Sequence, residues 1–337
     1  MTGIVASPFR DDGQGRKEWD AMVEGSWNGT FLHTRRFLSY HGTRFTDRSI
    51  VVRDSGRIVG ALPAAQDPQA PQRIVSHPGA TYGGLVHAGD LGGEDLRAAL
   101  AQALRTWLEG GAETVLYKTV PSFYHRVQAE EDTYWLWRSG ARLVRVDLTA
   151  MAPLDTALDP STDRRRAHRR ALASGLTIRG GPSELDAFWA ILEDNLAARH
   201  QTRPVHHVDE MRDLMTRFPQ AIRLDAAFAG HRMIAGSLLF RAGAAEHCQY
   251  SAATPEGRKS GALDLLFQHA MARARAEGAR WFDFGISNEE QGRRLNEPLY
   301  RFKRSFAGAS AVHTFFEIDL VAAVRALEQA REVGHGD

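Results

Sequence analysis

HCQYSA (His247–Ala252), GRKSGALDLLFQHAMARARAEGA (Gly257–Ala279), RWFDFG (Arg280–Gly285) and ISNEEQGRRLNEPLYRFKRSF (Ile286–Phe306) are the runs that decide the fold. The first and third read as strands, and the second as a helix opened by a basic, glycine-containing turn. Strand, helix and strand in that order predict a βαβ unit. The start of its helix offers backbone N–H groups and a positive dipole end to an anion. Polar side chains then crowd the exit of the second strand.

Upstream of this unit, AIRLDAAFAG and RMIAGSLLF predict a hairpin about Gly230-His231. Before them come a basic helix over Asp159–Gly175, a short strand TIRG (Thr177–Gly180), and helices over Ser183–His200 and Val208–Arg217. VHTFFEIDL and a helical tail close the chain. The first half follows the same plan. A helix over Lys17–Gly25 and another in HTRRFLSYHG, capped by Thr34, precede a hairpin of SIVVRD and RIVGALPAA about Ser55-Gly56. QDPQAPQ (Gln66–Gln72) reads as a surface loop, Glu94–Gly110 as an amphipathic helix, and TVLYKTV and LVRVDLTA as strands. RIVGALPAA resembles RMIAGSLLF, and LRAALAQALRTWLEGGAETVLYK resembles LDLLFQHAMARARAEGARWFDFG. An ordered match of hairpin, strand, helix and strand predicts a duplicated domain, divided as 1–150 and 151–337. A length of 337 residues agrees with two domains.

The composition narrows the function classes. At 43% hydrophobic and 25% charged the chain can bury a full core. Forty-two basic residues against 41 acidic ones leave no global field for a nucleic-acid partner, so no DNA partner is expected. One cysteine, Cys248, excludes an internal disulfide framework and fits a reducing compartment. MTGIVASPFRDD has no apolar signal core, and no stretch approaches the roughly 18 apolar residues of a membrane span. A cytoplasmic protein is expected. His206 and His207 are adjacent and face different ways, and no HExxH or CxxC occurs, so no metal is expected.

The helices, hairpin and strand followed by R-x-x-G-x-x at a helix start resemble the GNAT acyltransferase core. The tandem arrangement is similar to the Fem-type peptidyltransferases and the FemAB-like or BioF2-like acetyltransferases. RRRAHRRALASG, HCQYSA, EGRKSGALDLL, WFDFGIS and LNEPLYRFKRSFAG carry the likeness, which is strongest from about Arg164 onward. It implies an α/β fold (an α+β mixed sheet) of two tandem GNAT-like domains, each a twisted mixed sheet flanked by helices. It also implies an N-acyltransferase that moves an acyl group from acyl-CoA to a primary amine of a small-molecule, sugar or peptide acceptor lying between the domains. The alternative donor in the group is aminoacyl-tRNA, with tRNA then a partner. A duplicated fold that keeps its cleft as a binding module without chemistry is the other alternative. The first half, which has no R-x-x-G turn, is expected to carry a degenerate donor site.

Arg258, Lys259, Ser260, Gly261 and Ala262 match the turn that offers N–H groups to the CoA diphosphate, with Leu263 departing from the small residue usual there. On the strand, His247 and Tyr250 are candidates for proton transfer, and His247 and Gln249 share a face if the strand is regular. Cys248 lacks any recognisable Cys/His signature for a nucleophile. Asp283, bracketed by Trp281, Phe282 and Phe284, has two readings. It is a general base with raised pKa, or a carboxylate bonded to the amides of a Ser287–Glu289 turn in which Ser287 caps the following helix. Lys303 matches the position where Fem-like enzymes carry a lysine near the transferring acyl group, which implies oxyanion stabilisation. Asn296 and Tyr300 are expected on neighbouring turns of the same helix. Gln249, Ser287, Asn296, Tyr300 and Arg203 are assigned to the acceptor. Arg164, Arg165, Arg166, Arg169 and Arg170 spread round their helix, either as a phosphate contact or as a solvated face.

Overall fold

The computed structural model describes residues 3–156, 159–200, 202–306 and 308–330, with side chains for all of these except 199 and 200. The chain opens with β1 (Ile4–Pro8), α1 (Gly13–Gly25), α2 (Arg35–Leu38), β2 (Ile50–Asp54) and β3 (Arg57–Leu62). It continues with β4 (Ala65–Asp67), β5 (Ala70–Val75), β6 (Val86–His87), α3 (Gly93–Glu109), β7 (Thr114–Lys118), α4 (Glu131–Arg138) and β8 (Arg142–Pro153). Then come α5 (Thr162–Ala173), β9 (Thr177–Gly180), α6 (Leu185–His200), α7 (Val208–Arg217), β10 (Ile222–Ala229), β11 (Arg232–Ala242) and β12 (Ala245–Ala253). The last part comprises α8 (Pro255–Ser260), α9 (Ala262–Ala276), β13 (Trp281–Ile286), β14 (Asn288–Glu289), β15 (Arg294–Leu295), α10 (Glu297–Arg304), β16 (Ala309–Asp319) and α11 (Leu320–Gln329).

Two compact units result. One holds the described residues up to Asp147, Gln291–Arg293 and those from Val312 on; the other holds Leu148–Glu290 and Arg294–Ala311. The closing strand and helix, assigned from sequence to the second domain, therefore pack with the first. The reason is pairing: Phe315–Asp319 of β16 run antiparallel to Lys118–Thr114 of β7, and α11 buries Leu320, Ala323 and Leu327 in the first unit's core.

In the first unit, β1, β2, β3 and β6 form an antiparallel sheet in that order. A second set of strands places β4 against β5 and β5 parallel to β7. Two elements here differ from the sequence reading. The polar leader contributes β1, whose Ile4 and Ala6 are buried while Val5 is exposed, too short an alternation to stand out. QDPQAPQ is not a loop: its residues form most of the β4–β5 hairpin, with Gln66 paired to Ile74.

In the second unit β9, β10, β11, β12 and β13 follow one another in the sheet, and Thr149–Pro153 of β8 flank β13. β12 and β13 are parallel, as the βαβ reading requires. Phe282 and Phe284 point to the helical side, because alternate strand residues face opposite ways. There they join Phe267 of α9 and Phe306 beyond α10, with Phe284 and Phe306 stacked at 5.2 Å and Phe267 edge-on to both. This aromatic cluster fixes β13 against its helices and turns Asp283 to the other face. The aromatics therefore do not sandwich the carboxylate, as the sequence had suggested.

The R-x-x-G segment also differs from its reading. Thr254 caps α8 by accepting from Gly257 N, so Gly257–Ser260 are already helical. Gly261 breaks the helix at φ +83°, and α9 starts beyond it. A Cβ on Gly261 would lie 2.4 Å from the Ala167 carbonyl oxygen of α5. The need for glycine is thus met by helix packing. Arg164 of α5 pairs with Asp264 at 3.1 Å, close to the start of α9, and its guanidinium lies over Phe302 and Phe306.

Gly261→Ala is expected to lower stability by about 2 kcal/mol or more, from left-handed strain plus the clash with Ala167. Urea unfolding checks this, and an unchanged midpoint would refute the packing role. Asp264 is pushed up from 3.8 to about 6 by burial, against the opposing pull of Arg164. The folded chain then holds this proton more tightly than the unfolded one, so stability falls as pH rises from about 4 to about 6. Relative to Asp264→Asn, the wild type should lose urea midpoint across that window; parallel profiles would contradict it.

Candidate functional site

Pairing between β12 and β13 runs through Ala245–Trp281, Glu246–Phe282 and His247–Asp283. On its other side β13 pairs with β8 at Trp281–Pro153, Phe282–Ala152 and Asp283–Met151 and, after a register shift, at Ile286–Thr149. β12 keeps its other partner, β11, but Tyr250 and Cys248 face the successive residues Leu238 and Leu239. Gln249 is the extra residue of a bulge, so the regular alternation expected for His247 and Gln249 does not hold. The bulge in β12 and the register shift in β13 both fall just beyond the His247–Asp283 pair, where the parallel pairing ends.

Asp283 sits at that junction with no solvent exposure. Its Oδ1 accepts from Thr149 Oγ1 and, at 2.8 Å, from Gly285 N. Its Oδ2 lies 2.7 Å from Nδ1 of His247. The carboxylate is thus held by three segments, and the Gly285 amide takes the place of the Ser287–Glu289 turn considered from sequence. A base in direct contact with substrate has to be reachable, and Asp283 is not. His247, whose side chain is 13% exposed, is the reachable member of the pair, and Asp283 orients it.

Lys303 comes to the same place from α10. Its Nζ donates to Gly285 O at 3.0 Å and Ile286 O at 2.7 Å. Burial lowers its proton affinity, partly offset by Cys248 and Asp283 nearby. Gly285 has φ +77°, and the position its Cβ would occupy is 3.4 Å from His247 Cε1 and 3.8 Å from Lys303 Nζ. The absent side chain leaves room where imidazole and ammonium converge. Thr149, which sequence reasoning missed, donates to the Asp283 carboxylate beside them. It is distant in sequence, and its signal is only a hydroxyl in an otherwise apolar strand end.

The other candidates are placed as follows. The hydroxyl of Tyr250 bonds His206 Nδ1 at 2.7 Å, its ring meets Trp189 edge-on at 5.6 Å, and burial raises its pKa. Cys248 is buried, and burial pushes its thiol up, away from a thiolate. Ser287 is buried with its hydroxyl oxygen unbonded; its carbonyl accepts from Asn296 N at 2.8 Å. Ser287 does not cap α10. Asn296 does, accepting from Leu299 N and donating to Glu289, so it stands at the helix start rather than on an interior turn. Between Ser287 and Asn296 the chain forms the β14–β15 hairpin. Tyr300 is half-buried and Arg203 exposed. Arg258 is tied to Ala253 O at 2.5 Å and Asn195 at 3.0 Å, and Ser260 to Gly257 O. Lys259 is exposed, and Ala262 is buried. Arg165, Arg166, Arg169 and Arg170 are exposed on α5. Among the described residues, no group of three His, Cys, Asp or Glu side chains is placed to hold a metal, and no helix is long and apolar enough to cross a membrane.

Comparison with known proteins bears on the fold. Residues 161–304, under half of the chain, match the family described as an acetyltransferase (GNAT) domain. No curated protein sequence matches the chain. Among solved structures the chain is similar to FemX, with a TM-score of 0.68 and 15% identity over 90% of this chain and 95% of that one. It is similar to L-PGS from Bacillus licheniformis, with a TM-score of 0.61 and 14% identity over 94% and 97% of the two chains. A tandem GNAT protein from the clavulanic acid biosynthesis pathway gives a TM-score of 0.50 and 15% identity over 94% and 98%. Identities this low speak for the fold alone. The chain is a tandem protein with a GNAT-type, FemAB-like fold, and residues 161–304 match the acetyltransferase (GNAT) domain family.

Proposed function

We propose that the protein is an N-acyltransferase in which His247, Asp283 and Lys303 serve direct transfer of an acyl group from an activated ester or thioester to a primary amine. The convergence of imidazole and ammonium at Gly285, where β12 and β13 part, carries this reading. With Nδ1–H given to Asp283, the lone pair of His247 is on Nε2 and receives the proton of the attacking amine. The new N–C bond forms as negative charge grows on the carbonyl oxygen. Lys303 has spent two donors on carbonyls, and its third meets that charge. Collapse breaks the C–S or C–O bond, and the proton on His247 passes to the leaving group. No covalent enzyme intermediate is required.

The acyl donor is acyl-CoA or a related activated ester. The R-x-x-G turn gives CoA less support than the sequence implied, because Ala167 packs on Gly261 and the Asp264 carboxylate sits close to the start of α9. Aminoacyl-tRNA is the second reading, favoured by the exposed arginines of α5. The acceptor is a small-molecule, sugar or peptide amine. Gln249 at the bulge, Tyr300 and Arg203 are proposed to meet it, with Ser287 and Asn296 shaping the turn.

Mass spectrometry of products from the purified protein, amines and a panel of CoA esters and charged tRNAs separates these donors. Products from CoA thioesters alone would remove the tRNA reading, and no product from either would remove acyl transfer. In the working assay, His247→Gln should lower kcat about a hundred- to ten-thousandfold. Lys303→Met should lower it about a hundred- to a thousandfold. Full turnover in either would overturn the assigned role. Thr149→Val deprives a buried carboxylate of a donor and should cost about 1–3 kcal/mol in a urea melt, while Thr149→Ser restores the wild-type midpoint. Equal midpoints for the two variants would show that the hydroxyl does not hold Asp283.

A further inference from the structure

Exposed apolar side chains of the first unit gather in one stretch. Tyr134 and Trp137 of α4 are exposed, Trp137 at 68%, and so are Leu143, Val144 and Val146 of β8, Leu143 at 54%. Val312 of β16, the strand next to β8, is exposed as well. The two α4 rings stand 6.4 Å apart. Ala141 N donates to Leu136 O at 3.0 Å, which fastens the end of α4 beside the start of β8. Side chains of these sizes present an apolar surface on the order of 500 Å², the size at which a patch marks an interaction site.

The same stretch of β8 has an open edge. Leu148 uses both of its main-chain groups on that side, accepting from Ser287 N at 3.0 Å and donating to Asn288 Oδ1. A Cβ on Gly292 would lie 2.8 Å from Val146 O, so the β14–β15 turn covers that carbonyl. Main-chain groups of alternate residues point to the same side of a strand, so those of Val144 and Arg142 face the same edge. β13 pairs with β8 only over Thr149–Pro153, and among the described residues no strand continues it along Arg142–Arg145. The charges here are spent within the chain: Arg142 pairs with Glu317, and Arg145 with Asp147 at 2.6 Å. An anionic lipid surface therefore finds no row of free cations, and lipid tails leave a strand edge unbonded. A second strand satisfies it.

We propose that this surface is the contact between two copies of the chain, which pair antiparallel along β8 about a two-fold axis at Val144. The edge is the same on both copies, so the contact is self-complementary. Val144 N–H of each copy donates to Val144 O of the other. Leu143 then falls opposite Arg145 and Arg142 opposite Val146, so no like charges meet directly. The patch is smaller than the roughly 800 Å² per partner of a standard interface, so the dimer is concentration-dependent, with Kd in about the micromolar range. The proposal does not rest on acyl transfer, and failure of either leaves the other standing.

Sedimentation equilibrium of the full chain should show monomer passing to dimer over about 1–100 µM. Val144→Pro removes the outward N–H at a place where an edge strand accepts proline, and should weaken the dimer about tenfold or more. Val144→Cys brings two thiols to the axis, where hydrogen-bonded strand partners are about 5.5 Å apart between Cα atoms, within disulfide reach. Cys248 is buried, so a mild oxidant reports on the new thiol. Val144→Cys should crosslink about tenfold faster than Leu143→Cys, whose two copies lie on a diagonal of about 7–8 Å. The inference is overturned if the wild type stays monomeric throughout, whether or not it sediments with phosphatidylglycerol vesicles. It is equally overturned if Val144→Pro dimerises as the wild type does, or if the two cysteine variants crosslink at the same rate. Should Val144→Pro fail to fold, the wild-type mass and the cysteine pair decide the question.

Discussion

A carboxylate with no solvent exposure has to be supplied with hydrogen-bond donors, because an unpaired buried charge costs several kcal/mol. Asp283 meets that demand from three directions: Thr149 of β8, His247 of β12 and the Gly285 amide of its own strand. The Thr149 bond lies across the β8–β13 pairing, and the His247 bond lies at the last β12–β13 pair. The amide bond fixes the left-handed turn at Gly285, whose carbonyl, with that of Ile286, anchors Lys303. Removing the carboxylate would loosen the His247 imidazole and the Lys303 ammonium together.

The two units treat the same motif differently. In the first, β5 and β7 form the parallel pair, and the chain beyond them stays stitched. Ser76 N donates to Leu116 O at 3.0 Å, Lys118 N donates to Ser76 Oγ at 2.7 Å, and Gly83 N donates to Lys118 O at 3.2 Å. Lys118 is buried there, and burial lowers it to about 7. In the second unit the corresponding strands part after His247 and Asp283, assisted by the bulge at Gln249. A pair stitched by backbone bonds has no edge to offer a substrate carbonyl, whereas a parted pair does. The contrast separates the two units: the parallel pair opens in the second and stays closed in the first.

Lys303 and His247 were legible as candidates, and that they converge at Gly285 is visible only in space. The sequence weighed Asp283 as the base because it stands among aromatics. Strand alternation sends Phe282 and Phe284 to the Phe267–Phe306 cluster and leaves the carboxylate facing His247. Thr149 was missed because its partner lies 134 positions away. Gly261 was legible as a residue that must be small. Whether a phosphate or a neighbouring backbone made it so depended on where α5 lies.

By itself the sequence determined the local elements: the Ser-Gly and Gly-His hairpins, the amphipathic helices, the βαβ order and the repeat of that order in both halves. These follow from side-chain periodicity and turn chemistry, which act over a few residues. Tertiary structure alone decided that the last strand joins the first unit, that the parallel strands separate at His247 and Asp283, and that Asp283 is held away from solvent. Those outcomes depend on pairings and donors supplied from distant positions, which no local pattern records.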